Sequence, residues 1–436
     1  MLLRAAVYDL SSTSTGPGSF QKIPAHPTNL ISPLLSRPNP QLSKVCLFFK
    51  EVSPTMLMKY RLFTPGPTSV PEATLLELAK PVHHHRTAEF RAMFNEIQAL
   101  LQYVYQTKNT VYTITGSGTA AAEAGIVNTL APGKKALCVT NGKFAERWSQ
   151  VCTTFGIEHK DLKLEYGQHV SAEQIGNELR AAKYDAVILV HSETSTATVC
   201  DLENIGKAVR ASGDTLLIVD GITSIGALPF HMDNWGVDVA ITGSQKALML
   251  PPGLGFVSLS DRAWAAVEAN KAAKDFYLDL RKYKKSITDG DTPFTPANTL
   301  IDALSVSLKM IKNETIEKVW KRTHGCAEAA RRGMKALGFE LFSRQPADSV
   351  SAFRYPAGIT DKDFRGKLKS AHNIHVAGGQ GTMEGQIFRV NHMGYSDAYD
   401  ALAVVAATEH VLKALGKPVQ FGAGVAAAQA ALAELF

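Results

Sequence analysis

Between Val111 and Leu259, short β-branched runs alternate with helical stretches, and no other feature limits the possible folds so sharply. The pattern predicts strands at 111–115, 136–140, 186–191, 215–219, 237–242 and 255–259. Helical spacing fills the gaps at 120–130, 172–182 and 202–211. Strand–helix alternation of this kind predicts an α/β layer architecture around a largely parallel sheet. Ligands of such folds sit beyond the carboxyl ends of the strands. The residues at those ends therefore carry the functional argument.

Composition removes several classes. The chain has 436 residues, long enough for two or three domains, and is 45% hydrophobic and 20% charged. Its net charge of +6 is dispersed, with no Lys/Arg block interleaved with aromatics, so no nucleic-acid partner is expected. No apolar run approaches the roughly 18 residues of a membrane span, so no membrane partner is expected either. The five cysteines are scattered, without a CxxC pair. That suits a reducing, cytoplasmic setting and argues against a disulfide framework or zinc ribbon.

Residues 1–57 are rich in Ser, Pro, Thr and Leu, with Asp9 and Glu51 as the only acids. Three readings stand: an organelle transit peptide, a disordered extension, or translated upstream sequence ahead of a start at Met56 or Met58. The last two are preferred, because arginines are few and no amphipathic helix is evident. A proline-stiffened arm follows, Leu62-Phe-Thr-Pro-Gly-Pro-Thr, in which Gly66 would let backbone approach a ligand. His83-His84-His85 is not read as a metal site, since adjacent side chains point different ways. Helical spacing from Phe90 to Val104 reads as a core-facing helix. A second block of helices and strands begins near Thr299 and reads as a smaller α+β domain. An alanine-rich tail, 416–436, closes the chain.

The strand ends come next. The run Thr115-Gly-Ser-Gly-Thr-Ala-Ala-Ala-Glu places glycines before a helix, where free N–H groups suit a phosphate. Ser117 and Thr119 would add hydroxyl donors. The loop also fits the loose dinucleotide fingerprint, but the next strand ends at Asn141 without the acid that a ribose needs. A purely structural turn is an equal alternative for this loop alone. Phe144 follows and is either a stacking ring or core. His191-Ser-Glu-Thr-Ser-Thr is too polar for a strand interior and reads as ligand-side loop or capping segment. Asp220 ends an apolar strand and, if buried, needs a partner: a cationic ring nitrogen or, equally for this residue alone, a nearby arginine or a helix N-cap. Lys246 follows the next strand, and a desolvated lysine there would attack a carbonyl. An anion cradle, an acid and a lysine at three strand ends together match what pyridoxal 5'-phosphate requires.

These motifs resemble the class V aminotransferase family of fold-type-I pyridoxal-phosphate enzymes, nearest its serine/alanine–glyoxylate branch. The resemblance covers roughly Tyr60 to Leu415 and rests on TPGP, GSGTAAAE, NGKF, HSETST, VDGITS, GSQKA and Phe388-Arg-Val-Asn-His-Met-Gly394. It implies an α/β fold: a large domain over 58–312, with a mainly parallel seven-stranded sheet between helices, plus a small α+β C-terminal domain over 313–415. It implies Lys246 as the Schiff-base lysine and Asp220 as partner of the ring nitrogen. Ser117, Gly118, Thr119 and Gln245 would take the phosphate. Phe144 and Ile222 would face the ring, and Thr194 would lie beside it. Arg389 would hold the substrate carboxylate near Gly66. A homodimer is implied, with Thr292 and Thr295 of the partner copy reaching the phosphate.

The activity implied is ping-pong transamination of a small amino acid, serine or alanine, with glyoxylate or pyruvate. A 2-aminoethylphosphonate transaminase is the nearest rival, since phosphonate and carboxylate both want arginine. A desulfurase or related lyase fits less well, because Gln245 precedes the lysine and no cysteine sits in a glycine-rich loop of the small domain. Some relatives have been named as hydrogenase subunits, but a purely structural partner would be expected to lose Lys246 or Asp220.

Overall fold

The computed structural model describes residues 58–272 and 275–435, so the N-terminal extension lies outside the described residues. Seven strands form the large sheet, in the spatial order Val111–Thr115, Leu254–Leu259, Val239–Gly243, Leu216–Asp220, Ala186–Val190, Lys135–Thr140 and Glu158–Lys163. Leu254–Leu259 runs antiparallel to both neighbours, while the other pairings are parallel. Six of these strands are legible in the sequence to within two residues at either end. The seventh, Glu158–Lys163, reads EHKDLK and escapes a hydrophobicity criterion. It lies at the sheet edge and alternates between exposed and half-buried positions, so it needs no apolar run.

Both faces of the sheet are covered, and alternate residues of each strand feed opposite cores. Leu137, Val139, Val187, Leu189, Leu217 and Val219 pack towards the helices Ala88–Tyr105 and Asn298–Glu314. Cys138, Ile188, Val190, Ile218, Ile241 and Val257 pack towards Gly118–Thr129, Lys143–Thr154 and Asp261–Ala269. The helix Gly118–Thr129 is unusually bare because it lies close on the strands. A Cβ on Gly125 would stand 2.8 Å from Val239.

A second, five-stranded sheet has the order Arg61–Phe63, Ile374–Gly378, Ile387–Asn391, Val350–Arg354 and Glu340–Leu341. Its first strand belongs to the N-terminal arm, and Arg61–Phe63 pairs in parallel with Ile374–Val376. The arm thus crosses from this sheet to the ends of the large-sheet strands, where Thr68 donates through N to Gln245 O (3.1 Å) and through Oγ1 to Lys246 O (2.9 Å). The alanine-rich tail folds into the helix Ala423–Leu435 and packs on Ile316–Ala336, burying Gly424, Ala428 and Ala431. Small residues let the two helices approach closely, much as Gly333 meets Val405. Among the described residues no helix is long and apolar enough to cross a membrane.

Candidate active site

The carboxyl ends of the parallel strands converge on one cavity. Its lining includes Ser117, Gly118, Thr119, Phe144, Thr194, Asp220, Ile222, Gln245 and Lys246, all singled out from sequence. Four further lining residues, Arg147, Val190, Ser192 and Thr223, were not.

Ser117 caps the helix Gly118–Thr129, its side chain accepting from Ala120 N. The first turn of that helix, with N–H groups that a helix leaves unbonded, lies in the cavity wall at Gly118 and Thr119. Gly118 is required by packing rather than by φ: a Cβ there would lie 2.8 Å from Ile222 Cδ1. Gln245 brings a buried side-chain oxygen, Oε1, that has no partner among the described residues.

Asp220 is buried at the tip of its strand. Oδ1 accepts from Ile222 N at 2.8 Å and Oδ2 from Trp148 Nε1 at 3.0 Å. Burial pushes its carboxyl up to about 6; the Ile222 N–H opposes the shift, and the nearby Glu193 carboxylate adds to it. Lys246, also buried, donates from Nζ to Pro65 O at 2.5 Å. Desolvation lowers its amine to about 8, with Asp220 opposing and Arg389 and Arg147 reinforcing the drop. An amine near 8 is substantially neutral at slightly alkaline pH, which is what a nucleophile or general base needs.

Gly66 closes the cavity over the lysine. With φ at +149°, it carries no Cβ where one would stand 2.0 Å from Lys246 Nζ. Arg389 is buried on Ile387–Asn391 and lines a neighbouring pocket with Arg365 rather than the Lys246 cavity, to which Thr194 joins it. Its Nε and Nη2 donate to Gly378 O (3.0 and 2.7 Å) and its Nη1 to Thr194 O (3.0 Å). Three of a guanidinium's five N–H groups are thus used, leaving a fixed fork. Burial lowers Arg389 to about 10, still cationic at neutral pH.

Thr194 is held through Thr223 Oγ1 at 3.0 Å. The polar string around it is not the open loop that its composition suggests. All of His191 to Thr196 is buried, and Ser192–Glu193 pairs with Thr198–Val199 as a two-stranded hairpin. The polarity is absorbed internally. Glu193 accepts from Ser195 N and Oγ (2.9 and 2.5 Å) and from Ala145 N (2.9 Å). The last bond caps the helix Lys143–Thr154, whose N-cap Gly142 has no side chain to do so. A carboxylate at a helix N-terminus is also favoured by the dipole. Glu193 therefore sets the helix that carries Phe144, Arg147 and Trp148. Glu193→Gln would set an amide N–H against a backbone N–H and should lower stability by about 1–3 kcal/mol, read from the denaturation midpoint.

Thr292 and Thr295 do not line the cavity of their own chain. Thr292 Oγ1 donates to Phe294 O at 2.8 Å, and Thr295 is exposed. His83 bonds Asp302 through Nε2 (2.9 Å), His84 is exposed and His85 turns inward, so the three histidines diverge. Among the described residues no group of His, Cys, Asp and Glu is arranged to hold a metal.

Trp148 and Glu193 could not be picked from sequence. Trp148 stands four residues after Phe144 on one helix face and reads as core, which it also is. The cavity's polar groups fit pyridoxal phosphate: a helix N-terminus with hydroxyl donors for the phosphate, a buried carboxylate for the ring nitrogen and a buried amine for the aldehyde.

Known proteins bear on the same residues. The family described as Aminotransferase class-V matches residues 62–396. The chain is 43% identical over 376 residues to the soluble hydrogenase 42 kDa subunit of Anabaena cylindrica, covering 85% of this chain and 98% of that one. It is 35% identical over 376 residues to the L-aspartate–glyoxylate aminotransferase of Paracoccus denitrificans, covering 84% and 95%. Among solved structures, the alanine–glyoxylate aminotransferase from Nostoc sp. superposes with a TM-score of 0.79 at 30% identity, covering 83% of this chain and 97% of that one.

Proposed function

The chain belongs to the class V aminotransferases, and on that premise we propose that it transfers the amino group of a small amino acid, serine or alanine, to glyoxylate or pyruvate. Family and fold imply pyridoxal phosphate as cofactor. The observation that carries this reading is one buried cavity holding Lys246, Asp220 and a helix N-terminus, flanked by Arg389. Glyoxylate as acceptor is supported by the Paracoccus and Nostoc relatives, each named as a glyoxylate aminotransferase.

The bound cofactor supplies an aldehyde carbon that accepts an amine and a pyridinium ring that takes up the electron pair released at the donor's Cα. Ser117, Gly118, Thr119 and Gln245 would hold its phosphate, Phe144 and Ile222 its ring faces, and Thr194 its edge. Asp220 keeps a negative charge against the ring nitrogen. Lys246 would hold the aldehyde carbon and, as a free amine, would carry a proton at Nζ to and from the donor's Cα. Arg389 and the backbone at Gly66 orient the α-carboxylate. Thr292 and Thr295 complete the phosphate site from the second copy in a homodimer. The unpaired cysteines at 138, 152, 200 and 326 support a reducing, cytoplasmic setting.

A small, uncharged donor is favoured because the further guanidinium beside Arg389 is already taken. Arg365 lines a pocket with Arg389 but is gripped by both oxygens of Asp361, at 2.7 and 2.6 Å. A side-chain carboxylate would have to break that pair. Half-reactions scored by absorbance, with serine, alanine, aspartate and 2-aminoethylphosphonate as donors, test this. Faster turnover of aspartate or the phosphonate would overturn the donor assignment. Arg389→Met should raise KM for the donor by about tenfold or more, with a smaller change in cofactor affinity, read from steady-state kinetics beside a cofactor titration.

The Anabaena relative is named as a soluble hydrogenase subunit. The buried Lys246–Asp220 arrangement is what a purely structural subunit would not need to retain.

A further inference from the structure

Arg147 is the one charged residue lining the cavity that neither the family motifs nor the reading above assigns. It lies on the helix Lys143–Thr154, and its Nη1 donates to Thr119 Oγ1 at 3.1 Å. Its guanidinium also stands 5.1 Å from the centre of the Phe144 ring. Among the described residues it forms no ion pair. The neighbouring acid, Glu146, is occupied by Lys143 Nζ (2.6 Å) and Tyr166 OH (2.5 Å).

The position is electrostatically odd. A guanidinium has been brought to the positive end of the helix Gly118–Thr129, and its charge acts on the Lys246 amine as well. Three cations, Arg147, Lys246 and Arg389, act here against the two carboxylates Asp220 and Glu193. Neither carboxylate bonds Arg147: Asp220 accepts from Trp148 and Ile222, and Glu193 from Ser195 and Ala145. An excess of positive charge at one end of a partly buried cavity favours an anion there. Thr119 points the same way: its hydroxyl oxygen accepts from Arg147 and donates to no group among the described residues, so its own proton is free for an acceptor in the cavity.

We propose that Arg147 is a phosphate-recognition residue of this cavity, supplying the positive charge for a dianionic phosphate and orienting the Thr119 hydroxyl towards it. The proposal rests on the reading of the cavity as a pyridoxal-phosphate site and adds a residue to it. A guanidinium is suited to the task because it can bond Thr119 with one N–H and a phosphate oxygen with another.

The test compares two ligands that differ only in the phosphate. The full chain, stripped of cofactor, is titrated with pyridoxal phosphate and with pyridoxal, following tryptophan fluorescence, for wild type, Arg147→Gln and Arg147→Lys. Arg147→Gln should weaken pyridoxal phosphate about tenfold or more while pyridoxal changes by less than about twofold. Arg147→Lys, which keeps the charge and loses the fork, should fall between. Equal losses for both ligands, or no loss for either, would overturn the proposal and leave the cofactor reading standing. A wild type that binds neither ligand would overturn both. Should Arg147→Gln not fold, Arg147→Lys decides on the same criterion, with cofactor-free melting curves as the control.

Discussion

Lys246→Ala should abolish transamination and leave the protein without visible absorbance. Borohydride reduction should then fix no cofactor mass on the peptide that carries position 246. Two functions disappear together, covalent capture of the cofactor and proton transfer at the donor's Cα, so a loss of at least about four decades in kcat is expected. The protein should still fold, because the substitution removes an amine that burial already disfavours in its charged form. Cofactor capture by the wild type should accelerate with pH through about 8, since the reactive form is the neutral amine. Pro65 O, which holds Nζ at 2.5 Å, keeps the protonated amine in place below that pH. A variant retaining both colour and activity would refute the assignment of Lys246.

Asp220→Asn should reduce kcat by about three decades, because an amide cannot supply the negative charge that keeps a ring nitrogen protonated. Geometry adds to the electrostatic loss. Both carboxylate oxygens of Asp220 accept N–H groups, so either orientation of an amide sets its NH2 against a donor, Trp148 Nε1 or Ile222 N. Single-turnover half-reactions and the pH dependence of the visible band check the first effect.

Stability checks the second. In the cofactor-free protein, burial raises Asp220 to about 6, against about 3.9 for an unfolded aspartate. The native state therefore binds the extra proton. This group's contribution to stability is complete below about pH 4 and is lost as pH rises through about 6, at most about 3 kcal/mol. Asp220→Asn should flatten that part of the stability profile. A profile unchanged by the substitution would show that Asp220 titrates normally.

Much of the site could be named before any coordinate was known. Lys246, Asp220, Phe144, Ile222, Thr194, Gln245 and the Ser117–Thr119 turn all line one cavity. Each stands at the carboxyl end of a strand or within a few residues of one, and the sheet brings such positions together regardless of their separation along the chain. The residues that escaped act sideways. Trp148 reaches Asp220 from a helix, Glu193 caps that helix from a hairpin, and Pro65 contributes a carbonyl that no side-chain pattern can announce.

The sequence by itself determined the alternation of strand and helix, the chemistry available at each strand end and the family. Those are properties of local periodicity and residue type, which survive without knowledge of neighbours. The tertiary structure alone decided that Glu158–Lys163 completes the sheet edge and that the N-terminal arm joins the second sheet. It alone decided that His191 to Thr196 is buried, and that Arg147 stands beside Thr119 without an ion pair among the described residues. Burial and partnership depend on what is packed against a residue from distant parts of the chain. They are also what shift a lysine to about 8 and an aspartate to about 6.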